Sequence, residues 1–333
     1  MPEAYQNKIA VLFDYDLTLT KENSEDPIFR ANNIDPDYFW KTYLPQFRAD
    51  AEKALLAFEE AYNGIVMPPD MQRTGIDEDL AYLGAMFELV REGRIAPLSR
   101  AELREAGQSV LLCDGLWEGL VEMREKIRAN NKWGREGIDL EYSIISAAPT
   151  DVIVGSMGKY ITDLCAGIFG NEIIPAKGDD PVYGKIRSHM GYVSSTLKTR
   201  FAFRILKGDP DVHKKVKAER KRIHGSNMVA VYDGKRDIPL GAVIGDKEGR
   251  RIGVYAGIDE EHIAENRKNA EELLRDGRVE AIFPADYRSG SALRKHLEDI
   301  FRELADRTAS RIEGRKIMIQ LPLTDSSGRL ISD

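Results

Sequence analysis

Two aspartates, Asp14 and Asp16, directly follow a short apolar run, Ile9–Phe13, near the start of the chain. The run is rich in β-branched and aromatic residues, which is typical of a strand buried on both faces of a parallel sheet. Open α/β sheets bind their ligands at the carboxyl ends of their strands, where both aspartates would lie. Taken alone, the pair fits a binding site and a solvated turn equally well.

Other polar residues stand at the ends of later predicted elements. They are Ser146 after the strand Tyr142–Ile145, Lys198 in the helix Leu197–Leu206, and Asp233 and Asp237 after the strand Met228–Tyr232. Singly, each has an ordinary explanation as a strand-end residue, a solvated lysine or a helix cap. In a doubly wound sheet, however, all of them converge on the carboxyl edge.

Four carboxylates at one edge would repel one another unless a cation neutralised them. Oxygen ligands without histidine or cysteine nearby favour magnesium over zinc. The sequence therefore predicts a Mg²⁺ site formed by Asp14, Asp16, Asp233 and Asp237.

The remaining groups suit a phosphoryl group, whose transfer needs mainly positioning and charge neutralisation. Ser146 offers a hydroxyl, the backbone amides that begin at Ala147 can point into the site, and Lys198 offers a positive charge. A carboxylate such as Asp14 can act as a covalent nucleophile. A second carboxyl two residues on can protonate the leaving oxygen and then activate water.

The order of predicted elements indicates an α/β fold: a doubly wound, Rossmann-like parallel sheet with a small helical cap. We divide the chain into a core of residues 1–20 and 112–307, a cap of residues 21–111, and a tail of residues 308–333. Four cap helices are predicted. One begins at Asp35, two span Ala51–Tyr62 and Asp77–Glu92, and the last begins at Ser99 with a capping box. The predicted core helices are Leu116–Arg128, Thr150–Phe169, Leu197–Leu206, Ile263–Arg275 and Ser291–Ala305; further strands are Arg251–Tyr255 and Val279–Phe283, and the tail holds a strand-like run, Lys316–Pro322.

The composition and the charge of the chain argue against several classes of function. The 333 residues carry a formal net charge of −7 that is dispersed along the chain, so no nucleic-acid partner is predicted. The two cysteines, Cys113 and Cys165, imply no disulfide framework and favour the cytoplasm. No signal-peptide pattern opens the sequence, and no apolar stretch is long enough to span a bilayer, so no membrane partner is predicted. The oligomeric state stays open.

The pattern Asp14-Tyr15-Asp16-Leu17-Thr18, followed by Ser146, Lys198 and Asp233-Gly234-x-x-Asp237, resembles the four motifs of the haloacid dehalogenase superfamily in their order. The resemblance spans roughly residues 8–305 and implies a phosphatase, because members with both aspartates of the first motif are as a rule phosphatases. It implies Asp14 as nucleophile and Asp16 as general acid/base, with Asp14, the Asp16 carbonyl, Asp233 and Asp237 on Mg²⁺. It also implies that Ser146 and Lys198 hold the phosphate of a small phosphorylated substrate.

Three positions depart from that pattern. Tyr232 stands where many members have glycine, and Arg236 where many have a small polar residue, so both can crowd or recharge the site. Asn23 stands where the phosphoserine phosphatase branch has an acid, which argues against a serine-phosphate substrate.

Two alternatives therefore stay open: a binding or regulatory protein that keeps the fold without turnover, and a phosphonatase or dehalogenase, against which Asp16 argues. The substrate itself is not predicted. The polar candidates in the cap are Arg48, Gln72, Arg73 and Arg91, for each of which a solvated surface position is the simpler interpretation.

Overall fold

The computed structural model describes residues 6–61, 78–160, 163–175, 185–191 and 193–320. The residues Gln72 and Arg73 lie outside these ranges, as does the chain after residue 320. Pro68 and Pro69 predict a loop over residues 64–75, which also lies outside them.

A seven-stranded sheet forms the centre of the molecule, with the strand order β4-β3-β2-β1-β5-β6-β7. Six of these strands run parallel, and β4 pairs antiparallel with β3 at one edge. The strands are β1 (Lys8–Phe13), β2 (Asp139–Pro149), β3 (Cys165–Pro175), β4 (Ile186–Gly191), β5 (Met228–Tyr232), β6 (Arg250–Tyr255) and β7 (Ala281–Pro284). The predicted doubly wound parallel sheet is therefore confirmed.

Helices cover both faces of this sheet. Those of the core are α6 (Leu116–Ala129), α7 (Asn131–Arg135), α8 (Thr150–Met157), α9 (Leu197–Lys207), α10 (Ile238–Gly245), α11 (Glu260–Arg275) and α12 (Ala292–Gln320). In β1, Ile9 and Val11 pack with α6 and α12 on one face, whereas Ala10 and Leu12 pack with α9 and α10 on the other. Because successive side chains of a strand alternate, a continuous apolar run serves both faces.

The helices between β1 and α6 form the cap. They are α1 (Asp26–Ala31), α2 (Pro36–Tyr38), α3 (Leu44–Ala61), α4 (Glu78–Arg91) and α5 (Arg100–Gln108). A π-helical turn, Phe39–Tyr43, joins α2 to α3. The two helices predicted to begin at Asp35 and Ala51 therefore form one continuous helix. The cap has a hydrophobic cluster of its own, in which Phe29 and Phe39 are fully buried and their ring centroids lie 4.2 Å apart.

The cap is anchored to the core where α5 packs on α8. Arg100 and Arg104 both donate to the buried Asp151 carboxylate, at 2.7 and 2.8 Å. Two glycines allow the backbones to approach closely: a Cβ on Gly107 would lie 2.2 Å from the carbonyl oxygen of Val152, and one on Gly155 would lie 2.0 Å from that of Arg104. The predicted capping box is also present, because Ser99 and Glu102 each accept from the other's backbone amide.

Two predictions of secondary structure are wrong. The helix predicted over Thr150–Phe169 ends at Met157, and its last residues belong to β3, where the partly buried Ile168 and Phe169 extend the sheet beside β2. The strand-like run predicted from Lys316 continues α12 through Gln320 instead. In both places a short apolar run has no distinct period, so its tertiary neighbours decide its conformation.

Within the described ranges, no helix has both the length and the apolar character needed to cross a bilayer. Cys113 and Cys165 are free thiols.

Candidate active site

The ends of three adjacent strands carry the predicted site residues. Since β2, β1 and β5 are neighbours and run parallel, Ser146, Asp14 and Asp233 reach the same edge of the sheet. They line a cavity of about 490 Å³ together with Lys198 and Asp237. The predicted convergence is thus what the structure shows.

Three carboxylates form the acidic centre of this cavity. Oxygen atoms of Asp14, Asp233 and Asp237 lie within 4.8 Å of one another. Burial, followed by the charge of Asp14, raises the pKa of Asp233 to about 7. The same two causes raise the pKa of Asp237 well above its usual range. The three carboxylates therefore repel one another in the folded chain.

Lys198 relieves part of that repulsion. Its ammonium donates to Asp14 Oδ1 at 2.7 Å and to Asp237 Oδ1 at 2.8 Å, and the residue is almost fully buried. Burial by itself would lower the pKa of Lys198, but the charges of Asp14 and Asp237 outweigh it and raise the pKa above its ordinary value. One ammonium against three carboxylates leaves room for a further cation.

The donor set fits a hard divalent cation. Asp237 Oδ2 is buried and has no hydrogen-bond partner among the described residues. The three carboxylates supply oxygen atoms only, which is the ligand type that Mg²⁺ prefers. The side chain of Asp16 lies outside this group of three, and the sequence-based resemblance assigns only its backbone carbonyl to the metal.

The Asp16 carboxyl lies apart from the three carboxylates and contacts Ser24, near the start of the cap. The Ser24 amide donates to Asp16 Oδ1 at 2.8 Å, and the Ser24 hydroxyl lies 3.3 Å from Asp16 Oδ2. Burial raises the pKa of Asp16 well above its usual range, and the charges of Glu25 and Asp14 add to the effect. A carboxyl in such surroundings keeps its proton to higher pH than a solvated one.

The Ser146–Ala147 segment closes another side of the cavity. Ser146 is buried, and its hydroxyl oxygen accepts from the Ala148 amide at 3.0 Å, which leaves its proton available to a ligand. The Ala147 carbonyl accepts from the Tyr82 hydroxyl of the cap at 2.7 Å. This cap-to-strand bond holds the end of β2 in place.

Several residues that line the cavity escaped the sequence analysis. Glu25, Trp40 and Tyr82 come from the cap, and Glu265, Asn266 and Asn269 from α11. Burial raises the pKa of Glu25 to about 7, and its Oε1 atom has no hydrogen-bond partner among the described residues. The acid-rich run Glu22–Asp26 carries a signal for Glu25, but the family pattern concerns only its position 23. The α11 residues carry no signal, because they look like the polar face of an ordinary amphipathic helix.

The two unusual residues of the fourth motif differ in placement. The Tyr232 side chain points away from the cavity, into the core on the α9–α10 face, where its hydroxyl donates to the Arg278 carbonyl at 2.7 Å. It therefore does not crowd the site. Arg236 does line the cavity, beside Lys235, and adds positive charge to its wall.

Of the four polar cap residues suggested by the sequence, Arg48 and Arg91 are among the described residues, and neither lines the cavity. Arg48 donates to Glu52 at 3.1 Å and borders a neighbouring cavity of about 340 Å³. Arg91 pairs with Glu88 on the surface of α4.

No known protein-family profile matches the chain. An uncharacterized protein of Borreliella burgdorferi is 26% identical in an alignment of 299 positions, which covers 86% of this chain and 94% of that protein. A haloacid dehalogenase family hydrolase from Salmonella enterica serovar Typhi matches 85% of this chain and 68% of its own, with 16% identity and a TM-score of 0.47.

Two further solved structures are similar at the same level. A phosphoserine phosphatase, solved as an analogue of its phospho-aspartyl intermediate, matches 88% of this chain and 98% of its own, with 15% identity and a TM-score of 0.46. Cytosolic 5′-nucleotidase IIIB, solved with cytidine, matches 92% and 88%, with 11% identity and a TM-score of 0.44. At such low similarity, the chemistry of this chain has to follow from its own residues.

Proposed function

We propose that the protein is a magnesium-dependent phosphatase of the haloacid dehalogenase superfamily, which hydrolyses a small phosphorylated metabolite through an aspartyl-phosphate intermediate. The observation that supports this most directly is the position of Lys198 between Asp14 and Asp237, at 2.7 and 2.8 Å, inside a cavity lined by three close carboxylates. A buried ammonium there orients one carboxylate and attracts a phosphate.

In the first step, an oxygen of Asp14 attacks phosphorus, a new P–O bond forms, and the ester P–O bond breaks. Asp16 donates its proton to the departing alkoxide. The raised pKa of Asp16 suits this role, because the carboxyl has to carry a proton near neutral pH. In the second step, Asp16 accepts a proton from water, the water oxygen attacks phosphorus, and inorganic phosphate leaves Asp14 free.

The phosphate would be held by three groups that come from two elements. The Ser146 hydroxyl and the Ala147 amide approach from the end of β2, and Lys198 approaches from α9. Asp14, Asp233 and Asp237, with the Asp16 carbonyl, would hold Mg²⁺. When bound, this ion neutralises negative charge on the phosphoryl oxygens.

The cap would select the substrate and exclude water. Trp40, Tyr82 and Glu25 line the cavity from the cap side, so the leaving group lies against an aromatic and acidic wall.

The proposed domains are a core of residues 1–20 and 112–307, a cap of residues 21–111 and a tail from residue 308, with α12 extending into that tail. The free thiols suit a reducing cytoplasm, where we propose that the enzyme acts.

One assay separates this function from the alternatives. The full chain is incubated with p-nitrophenyl phosphate and a panel of sugar and nucleotide phosphates, with Mg²⁺ and with EDTA. We expect Mg²⁺-dependent release of phosphate, which Asp14→Asn abolishes. Tyr232→Phe is the matched control, because its hydroxyl donates to the Arg278 carbonyl and lies outside the cavity.

The opposite outcomes are equally specific. Mg²⁺ binding without turnover on any substrate of the panel would favour the binding protein. Cleavage of a phosphonate or a haloacid, but of no phosphate ester, would favour the phosphonatase or dehalogenase. Phosphate release that survives in Asp14→Asn would exclude the aspartyl-phosphate.

A further inference from the structure

Three arginines form a row on α12, at the end of the sheet opposite the candidate active site. Arg307, Arg311 and Arg315 are spaced four residues apart, so they lie on one helix face at steps of about 6 Å. We call them the arginine row. They contact residues just before β1 and β5, whereas the acidic cavity follows the other ends of these strands.

Arg311 lies at the centre of the row and is held by neutral oxygen atoms. Its guanidinium donates to the Ser226 hydroxyl at 3.3 Å, to Asn227 Oδ1 at 2.9 Å and to the Thr308 hydroxyl at 3.0 Å. Among the residues that the structure describes, no carboxylate lies within ion-pair distance of Arg311. These bonds fix the direction of the guanidinium without cancelling its charge.

The two outer arginines are also poorly neutralised. Arg315 donates to Gln6 Oε1 at 3.0 Å, again a neutral acceptor. Arg307 donates to the Ser226 carbonyl at 3.0 Å, and Glu303 lies 3.9 Å away. Glu303 is closer to Arg250, at 2.6 Å, so one carboxylate serves two arginines.

Folding thus brings together three positive charges that repel one another. Burial, together with the charges of Arg307 and Arg315, lowers the pKa of Arg311 to about 10. Burial and the same three arginines lower the pKa of the neighbouring His224 to about 4, which keeps its ring neutral at pH 7. A structure that positions like charges in this way is stabilised by a bound anion.

A basic loop borders the arginine row and extends the positive surface. Six of the nine residues from Lys214 to Arg222 are lysine or arginine, in a chain whose net charge is −7. The Gln6 amide donates to the carbonyls of Ala218 and Lys221, at 2.8 and 3.0 Å, and so joins this loop to Arg315.

We propose that the arginine row, with the basic loop beside it, is a binding site for a small phosphate-bearing polyanion. Guanidinium groups present paired N–H donors that match the oxygens of a phosphate, and three of them balance the charge of a phosphate monoester or a pyrophosphate better than that of a single carboxylate. The site is separate from the acidic cavity and does not depend on the function proposed for it.

The test is a calorimetric titration of the full chain with inorganic pyrophosphate in EDTA and without Mg²⁺. Without a cation, the carboxylates of the acidic cavity repel the anion, so binding there does not interfere. We expect saturable binding with one pyrophosphate per chain. Arg311→Gln and Arg315→Gln should each weaken it about tenfold or more. Arg302→Gln is the matched control, because Arg302 lies on the same helix and pairs with Asp299 at 2.9 Å.

Thermal unfolding of each variant without ligand shows that it is folded, and Arg315→Lys keeps a charge if a glutamine variant fails to fold. Arg315→Lys should bind more weakly than the native chain, because lysine lacks the paired donors. Absence of saturable binding up to millimolar pyrophosphate, or equal affinity in native and variant chains, would overturn the proposal. A short RNA that displaces pyrophosphate and binds much more tightly would overturn it in favour of a nucleic-acid surface.

Discussion

The ammonium of Lys198 lies 2.7 Å from Asp14 Oδ1, although 184 positions separate the two residues in sequence. The same nitrogen lies 2.8 Å from Asp237 Oδ1, so a single buried cation connects the end of β1 to the start of α10. This contact exists only because β1 and β5 are adjacent and α9 packs on the face of the sheet that they share.

Replacing Lys198 tests how much this contact contributes. Lys198→Met keeps the volume of the side chain but leaves Asp14 and Asp237 facing each other without a counter-ion. Removing one partner of a buried ion pair costs about 3–5 kcal/mol. We expect a loss of this size in the free energy of unfolding, measured by urea denaturation in EDTA, and a fall in turnover of at least about 100-fold. Stability equal to that of the native chain would contradict the assigned charge balance.

Mg²⁺ should stabilise the folded chain, because a ligand that binds only the native state raises its stability by mass action. At a Mg²⁺ concentration of 100 times its Kd, the gain is about 2.7 kcal/mol. We expect the melting temperature to rise with Mg²⁺ in the native chain and to respond much less in Asp237→Asn. A shift of equal size in Asp237→Asn would remove this residue from the metal site.

The buried Glu25 predicts a dependence of stability on pH. Its pKa is about 7 in the folded chain, above the ordinary value of 4.5, so the folded state binds the proton more tightly than the unfolded state. The stability that the protonated Glu25 carboxyl contributes to the folded chain is fully present below pH 4.5 and is lost as the pH rises through 7. It is on the order of 3 kcal/mol. We expect Glu25→Gln to reduce, by about 3 kcal/mol, the decline in unfolding free energy between pH 4.5 and 8 that the native chain shows in EDTA. The raised pKa values of Asp16, Asp233 and Asp237 account for the decline that remains. An unchanged pH profile would contradict the raised pKa.

The contact between α5 and α8 predicts a strong effect of one methyl group. A Cβ on Gly155 would lie 2.0 Å from the Arg104 carbonyl oxygen, so Gly155→Ala should force the two helices apart and cost about 1–3 kcal/mol. Gly314→Ala in α12 is the control, because a Cβ there meets no atom within 4 Å. It should stabilise the chain by about 0.5–1 kcal/mol, since alanine favours helix more than glycine does. Chemical denaturation of both variants measures the difference.

The sequence by itself determined five of the seven strands of the sheet, namely β1, β2, β5, β6 and β7, and the main residues of the cavity. The apolar runs of β1 and β5 are long enough to identify buried strands. Asp14 and Asp233 follow them at once, and Asp237 comes four residues after Asp233, so chain order alone placed them at one edge. Ser146 comes directly after the apolar run of β2, whereas Lys198 lies in the first turn of the helix that precedes β5.

The tertiary structure decided what depends on side-chain direction and on contacts distant in sequence. It placed Phe169 in a strand, turned Tyr232 away from the cavity, and brought Glu25 and Asn269 to its wall. It also brought the arginine row beside the basic loop, so that positive charges about 90 positions apart in sequence form one surface. The physical reason is common to all of these. The local sequence pattern specifies the backbone conformation of a segment, whereas the residues that become its neighbours in space depend on how the elements pack.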